Sequence, residues 1–334
     1  MTYVDFHCDT LLKASRLKKN RIDEFPEASV DTKRLRQAGA GAQFFAAFVF
    51  PRGTSGWQEL GLGELAEKDG FEAEDRYIDT TGKILKETIK AYPQELVFAQ
   101  TGSGLKDAIA QGKTAAYFTL EDGRSVGGSL KKLKHYQEIG VSLISLTWNY
   151  ENCFGYPNSA DAASMKRGLK PFGKEAVEYM NELGMVVDVS HLSDGGFWDV
   201  VDVSAKPFVA SHSNCRALCP HPRNLTDEML RALADKGGVA GLNFYAGFLN
   251  RDIGSRDSRI KDMVAHLSHM VNVGGLECAA IGTDFDGIDS NLEIQSPPQM
   301  ELLFEALRKA GFSQDAVERI AWKNAVRVLC DIAG

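Results

Sequence analysis

Eight short, apolar, β-prone runs recur along the chain, and this repetition restricts the fold more than any other feature. They are Tyr3–Cys8, Ala42–Phe50, Ala115–Leu120, Ser142–Thr147, Met185–Ser190, Phe208–Ser211, Val239–Phe244 and Ala279–Gly282. Each is followed by polar residues and then by helical periodicity. Several are almost continuously apolar, as parallel strands covered on both faces must be. Helical stretches include Gly173–Leu183 and Thr226–Lys236, where Thr226 and Asp227 read as caps and Gly237 as the stop. Alternation of this kind implies a parallel sheet with right-handed crossovers. Eight units predict an α/β chain closed into a (β/α)8, TIM-like barrel. The rival is an open doubly wound sheet, but no Gly-rich phosphate turn follows the first run.

The reading is one domain spanning 1–334. A helical insertion of two or three helices occupies about 51–112, and its start, Pro51–Gly63, is expected as a loop over the barrel mouth. The C-terminal stretch Ser313–Asp331, capped by Ser313, is expected as an amphipathic helix on the outside. A net charge of -7 argues against a nucleic-acid surface, which needs clustered Lys and Arg. Small molecules or metals are the expected ligands. The N-terminus has no basic region followed by an apolar one, and no apolar run is long enough to span a membrane. Six cysteines scattered through a chain of this size read as reduced thiols, so a cytoplasmic location is expected.

In barrels of this type the active site lies where strands end and the loops to the helices begin. Five of the eight runs end in chemistry there: His7-Cys8-Asp9, Glu121-Asp122-Gly123, Ser190-His191, Ser211-His212-Ser213 and Thr283-Asp284-Phe285-Asp286-Gly287. Residues i and i+2 on an extended backbone face the same side, so His7 and Asp9 should converge. A single His or acid at a strand end is more often structural. Convergence of three imidazoles with carboxylates on one rim suits a pair of divalent ions such as zinc, with Glu121 bridging. Two such ions sharing a water would supply hydroxide near neutral pH. Asp284 would take the proton and pass it to a leaving amine. Arg223 would clamp a substrate carboxylate, its bland alternative being a surface cap for the following helix. His135, His266 and His269 fall in helical patterns and read as packing or surface residues; His221 is ambiguous.

These segments together resemble the membrane (renal-type) dipeptidase family, peptidase family M19, of the metal-dependent, amidohydrolase-like barrel hydrolases. The resemblance covers nearly the whole chain. It rests on DFHCDT at Asp5–Thr10, LEDG at Leu120–Gly123, VDVSHLS at Val187–Ser193, ASHSNCRALCPHPRNLTD at Ala210–Asp227 and IGTDFDG at Ile281–Gly287. It implies a zinc dipeptidase, tolerant of a D-residue at the C-terminal position and commonly homodimeric, acting through a hydroxide shared by two zinc ions. His7 and Asp9 would hold one zinc, His191 and His212 the other, with Glu121 bridging. Arg223 would bind the dipeptide carboxylate, and Asp284 would carry the proton.

The family often has a His after the fourth strand, in an LTH context, that contacts the substrate. Here Leu146-Thr147-Trp148-Asn149 places Trp148 there. Trp donates one N–H and cannot be protonated, so oxyanion contact falls to Asn149, Trp148 or the metals. Tyr245, opening the segment Tyr245–Arg256, is expected to line the substrate pocket along with Pro51–Gly63. The alternatives are another amidohydrolase-type enzyme, such as a deacylase, lactonase or phosphoesterase, and a barrel that has lost catalysis and only binds.

Overall fold

The computed structural model describes residues 1–252 and 254–334. Residue 253, within the expected pocket segment Tyr245–Arg256, lies outside the described residues. Eleven strands lie among the rest: β1 (Tyr3–Cys8), β2 (Ala40–Phe48), β3 (Leu96–Phe98), β4 (Thr114–Glu121), β5 (Val141–Ser145), β6 (Val186–Asp188), β7 (Val209–Ala210), β8 (Val239–Leu242), β9 (Asp257–Ser258), β10 (Ala279–Ile281) and β11 (Asn291–Leu292). Parallel pairing runs β1–β2–β4–β5–β6–β7–β8–β10 and returns to β1, so eight strands close into a barrel. Each of the eight apolar runs supplies one of them. β9 and β11 form a separate two-stranded sheet.

The crossover helices follow the sequence signals. Pro171–Leu183 starts on a proline and stops at Gly184, whose φ of 67° needs no side chain to be accommodated. Asp227–Asp235 is capped as expected: the Thr226 side chain accepts from Met229 N.

Two expectations change. The insertion between β2 and β4 is not helical throughout. Besides its helices it contains β3, which pairs with Thr114–Ala116 before β5 takes up Phe118–Glu121. A three-residue strand after a 20-residue helix carries too little periodicity to be read. The C-terminal helix Asn324–Ile332 does not lie on the outer wall. Ala325, Val326, Val328, Leu329 and Ile332 join an apolar cluster that draws on all eight barrel strands, from Val4, Ala42 and Ala115 to Leu143, Val186, Val209, Val239 and Ala280. Only lumen-facing residues can be shared in that way, and most of them stand at strand starts. The helix therefore closes the barrel floor. The amphipathic pattern showed that one face is buried but not what buries it. The Ser313 cap is present, its hydroxyl accepting from Ala316 N.

With the floor closed, the open end of the barrel is where strands end, and every candidate residue lies there. Among the described residues, no helix is long and apolar enough to cross a membrane.

Candidate metal centre

β1 ends at Cys8, so Asp9 is not on extended backbone. It is the residue before the helix Thr10–Arg16, with φ −99° and ψ 22°. His7 and Asp9 therefore converge, but not through an i, i+2 relation on extended backbone. Asp9 sits at a helix N-cap but makes no capping bond, which leaves its carboxylate free to turn toward His7, with Oδ2 3.5 Å from Nε2. The two strand ends that meet here are laced by backbone: Asp9 N donates to Phe285 O and Asp284 N to His7 O. His7 Nε2 is thereby also 3.7 Å from Asp284 Oδ1. Beneath them the buried Asp5 carboxylate accepts from Gln43 Nε2, Thr283 N and Thr283 Oγ1, tying β1, β2 and the end of β10 together.

Glu121, the last residue of β4, stands between two groups. Its Oε2 is 3.5 Å from His7 Nε2, and its Oε1 is 3.0 Å from His191 Nε2 and 3.7 Å from His212 Nε2. The expected ligands thus gather as His7 and Asp9 on one side, His191 and His212 on the other, and Glu121 with one oxygen toward each.

The second pair is held by a buried carboxylate that sequence reasoning missed. Asp188, at the end of β6, accepts from Ser190 N, Ser211 N, Ser145 Oγ and Ser211 Oγ. Ser211 Oγ donates to Asp188 Oδ2 at 2.7 Å, so its proton points at Asp188. Ser211 Oγ, 2.7 Å from His212 Nδ1, must then accept from that ring. His191 Nδ1 likewise faces the carbonyl oxygen of Asn149 at 2.9 Å. Both rings carry their proton on Nδ1, and both Nε2 lone pairs face one another at 3.0 Å. Two lone pairs so placed repel unless a cation lies between them. The carboxylate-backed imidazole is the usual arrangement around a metal. His7 Nε2 and Asp9 Oδ1 are also buried without a hydrogen-bond partner. The donor set, imidazole nitrogens and carboxylate oxygens, is that of zinc and similar dications. The residues fit the expected metals.

Burial pushes the Glu121 carboxyl up to about 7 and Asp284 up to about 6, against the pull of a charged His7. Burial disfavours charge on His7, but Glu121 and Asp9 prevail and hold it well above the usual imidazole range. Burial, aided by Arg223 and His7, drives His191 and His212 well below that range, so both stay neutral donors. Backbone strain gathers here too. Asp122, His191, Asp284 and Asp286 all take positive φ, between 63° and 74°. Asp286 accepts from Thr10 Oγ1, Lys13 Nζ and Ser29 N, which anchors the loop after β10. Gly287 lies so close to the carboxylates that an added Cβ would come within 2.5 Å of Asp284 Oδ1 and closer still to Asp9 Oδ2.

Above the cluster opens a cavity of about 480 Å³ whose lining includes Asp9, Glu121, His191, Asp284, Arg223, Trp148 and Tyr245. Arg223 is no surface cap. It is 5% exposed, its Nη1 and Nη2 donate to Ser213 Oγ and His212 O, and its Nε has no partner. Among the described residues no carboxylate lies within ion-pair distance of it, and burial pulls its pKa down to about 10. A buried guanidinium that faces a cavity with no carboxylate partner is free to bind an anion entering there. Tyr245 sits edge-on to Phe248, which in turn lies under the Arg223 guanidinium.

The Asn149 carbonyl oxygen lies 2.9 Å from His191 Nδ1 and orients that ring. The start of the insertion forms short helices, Gly56–Glu59 and Gly63–Ala66, and reaches the cavity only indirectly, with Trp57 packed edge-on behind Phe50. His266 is buried and joins Cys215 N to Leu249 O, His269 pairs with Asp227, and His135 is exposed. His221 accepts from Arg223 N through Nδ1, which places it behind the Arg223 backbone. Asp5, Asp188, Asn243 and Gly287 were not singled out beforehand; a polar residue inside an otherwise apolar run, as at Asp5 and Asp188, was the available signal.

A family model described as membrane dipeptidase (peptidase family M19) matches residues 1–333. An uncharacterized dipeptidase of Schizosaccharomyces pombe is 31% identical over 345 residues, covering 97% of this chain and 79% of its own. An uncharacterized Klebsiella pneumoniae protein from the pqqA 5′ region is 37% identical over 221 residues, 64% of this chain and 80% of its own. Among solved structures, a metallopeptidase described as dipeptidase AC of family M19 superposes with a TM-score of 0.88 at 25% identity, over 100% of this chain and 99% of that one. A Rhodobacter sphaeroides metallopeptidase, liganded with a phosphinate mimic of the dipeptide L-Ala-D-Ala, shares the fold with a TM-score of 0.87 at 24% identity, over 99% of each chain.

Proposed function

The chain belongs to the membrane dipeptidase family, peptidase family M19, and is a metallo-dipeptidase; from that premise we propose that it works with two zinc ions on dipeptides, including those with a D-residue at the C-terminal position. His7 and Asp9 would hold one ion and His191 and His212 the other, with Glu121 between them. When bound, the ions would lower the pKa of a water and polarise the scissile carbonyl.

The remaining work falls to side chains. Arg223, buried and with no carboxylate partner among the described residues, takes the substrate carboxylate in two parallel N–H···O bonds, which fixes the scissile bond over the carboxylates. Asn243 Nδ2 donates to Asp284 Oδ2 at 2.9 Å, which leaves Oδ1 facing His7 and the cavity. With a pKa near 6, Asp284 is poised to accept a proton and return it to the leaving amine. Asp188 and Asn149 keep His212 and His191 in the Nδ1–H tautomer.

The unpaired Arg223 beside the clustered carboxylates and imidazoles carries this reading. A barrel that only binds has no need of so strained and so fully backed a cluster. The test is hydrolysis of L,L and L,D dipeptides by zinc-reconstituted protein. Turnover of free dipeptides, lost in His191→Ala, supports it; no turnover with two equivalents of zinc bound would refute it. The proposal extends to a single working domain and a homodimer, which light scattering would test. All six cysteines are free, four of them buried, which supports a reducing, cytoplasmic setting.

A further inference from the structure

Around the barrel, β2 stands four strands from β7 by either route, through β1, β10 and β8 or through β4, β5 and β6. Arg223 lies in the loop that follows β7. Diametrically across the mouth, Phe48 ends β2 and Phe50 follows it, their rings edge-on at 4.8 Å. Trp148, after β5, meets Phe48 edge-on at 4.8 Å and has Tyr150 stacked on it at 5.9 Å. The cavity therefore has the Arg223 cation, with Tyr245 and Phe248, on one side and the wall of Phe48, Phe50 and Trp148 on the other, with Asp9, Glu121 and Asp284 between them.

This polarity fixes how a dipeptide lies, if the dipeptidase reading above holds. With its carboxylate on Arg223 and its peptide carbonyl over the central carboxylates, its N-terminal residue must rest against the β2 side. We propose that the wall of Phe48, Phe50 and Trp148 selects dipeptides with an aromatic or large aliphatic N-terminal side chain, and that Trp148 is the residue that sets this preference. Arg16, the cation beside the wall, is already engaged: its Nε is 2.8 Å from Glu59, and its guanidinium lies over Phe50 at 5.5 Å. Among the described residues lining the wall, an acidic N-terminal side chain would have to compete with Glu59 for Arg16.

The experiment measures kcat/KM on Xaa-Ala substrates with Xaa as Phe, Leu, Ala, Gly and Glu. It also measures inhibition by phosphinate dipeptide analogues carrying benzyl or methyl on the N-terminal side. The expected result is that Phe and Leu exceed Gly by on the order of 10- to 100-fold, with Glu no better than Gly. Trp148→Ala should lower the Phe/Gly ratio, and the benzyl/methyl inhibition ratio with it, by roughly tenfold; Trp148→Phe should keep most of both ratios. A flat wild-type profile, or a ratio unmoved in Trp148→Ala, would overturn the assignment while leaving the dipeptidase reading intact. Failure to cleave any Xaa-Ala would bring down both.

Discussion

Replacing Gly287 with alanine adds a single methyl group at the point where the loop after β10 passes the carboxylates. The added Cβ would stand 2.5 Å from Asp284 Oδ1 and 3.0 Å from Asp9 Cγ. Carbon and oxygen settle at roughly 3.3 Å or more, so the Asp284 oxygen must retreat by about 0.8 Å and Asp9 must swing away. Metal–ligand distances tolerate only about 0.2 Å, and a misplacement of about 1 Å can cost on the order of 100-fold in rate. Gly287 does not occupy the left-handed region that penalises a side chain. The substitution should therefore leave the backbone unstrained, and alanine stiffens the unfolded chain slightly. Gly287→Ala is expected to melt within a few degrees of the wild type, bind at least one metal ion less tightly, and lose about 100-fold or more in kcat. Melting by calorimetry, metal content by mass spectrometry and dipeptide turnover would be read on the same preparation. A Gly287→Ala protein with full metal content and wild-type kcat would refute the placement of Asp9 and Asp284 at the reacting centre.

Arg223→Ala should raise KM for dipeptides by on the order of 100-fold while sparing metal content, because it removes the anion's partner and not a ligand; steady-state kinetics and metal analysis decide. Asp188→Asn should weaken metal binding by about 10- to 100-fold through His212, which it never touches directly, and competition with a chelating dye would show it. Metal affinity should rise with pH. The raised His7 and Glu121, at about 7, hold protons that a dication must displace, so affinity falls as pH drops through the His7 range and more steeply below about 7, by roughly tenfold per unit for each proton released. A Kd constant between pH 6 and 8 would contradict that coupling.

The barrel was legible because parallel strands buried on both faces write themselves as continuous apolar runs. Their ends were less so. β6, β7 and β10 leave the ladder at Asp188, Ala210 and Ile281, while Ser190, Ser211 and Thr283 beyond them remain buried and hydrogen-bonded. Burial and strand pairing part company there, and only burial shows in composition. The rim residues His7, Glu121, His191, His212 and Asp284 could be found because strand ends in such barrels face one mouth. What lay hidden depends on register and on close approach. Asp188 in VDVSH reads as one polar residue in a strand until pairing sets it beneath Ser211. Gly287 reads as a turn until the carboxylates are placed beside it. Asn149 was read only for the substrate, and its contact with His191, which depends on the turn after the five-residue β5, did not show in the sequence.

The central claim, two ions held by one bridged set of ligands, is tested most directly by titrating chelator-stripped protein with zinc while following dipeptide hydrolysis. The account predicts no turnover without metal and a rise that breaks at two equivalents per chain. A break at one equivalent, or turnover in the stripped protein, would contradict it.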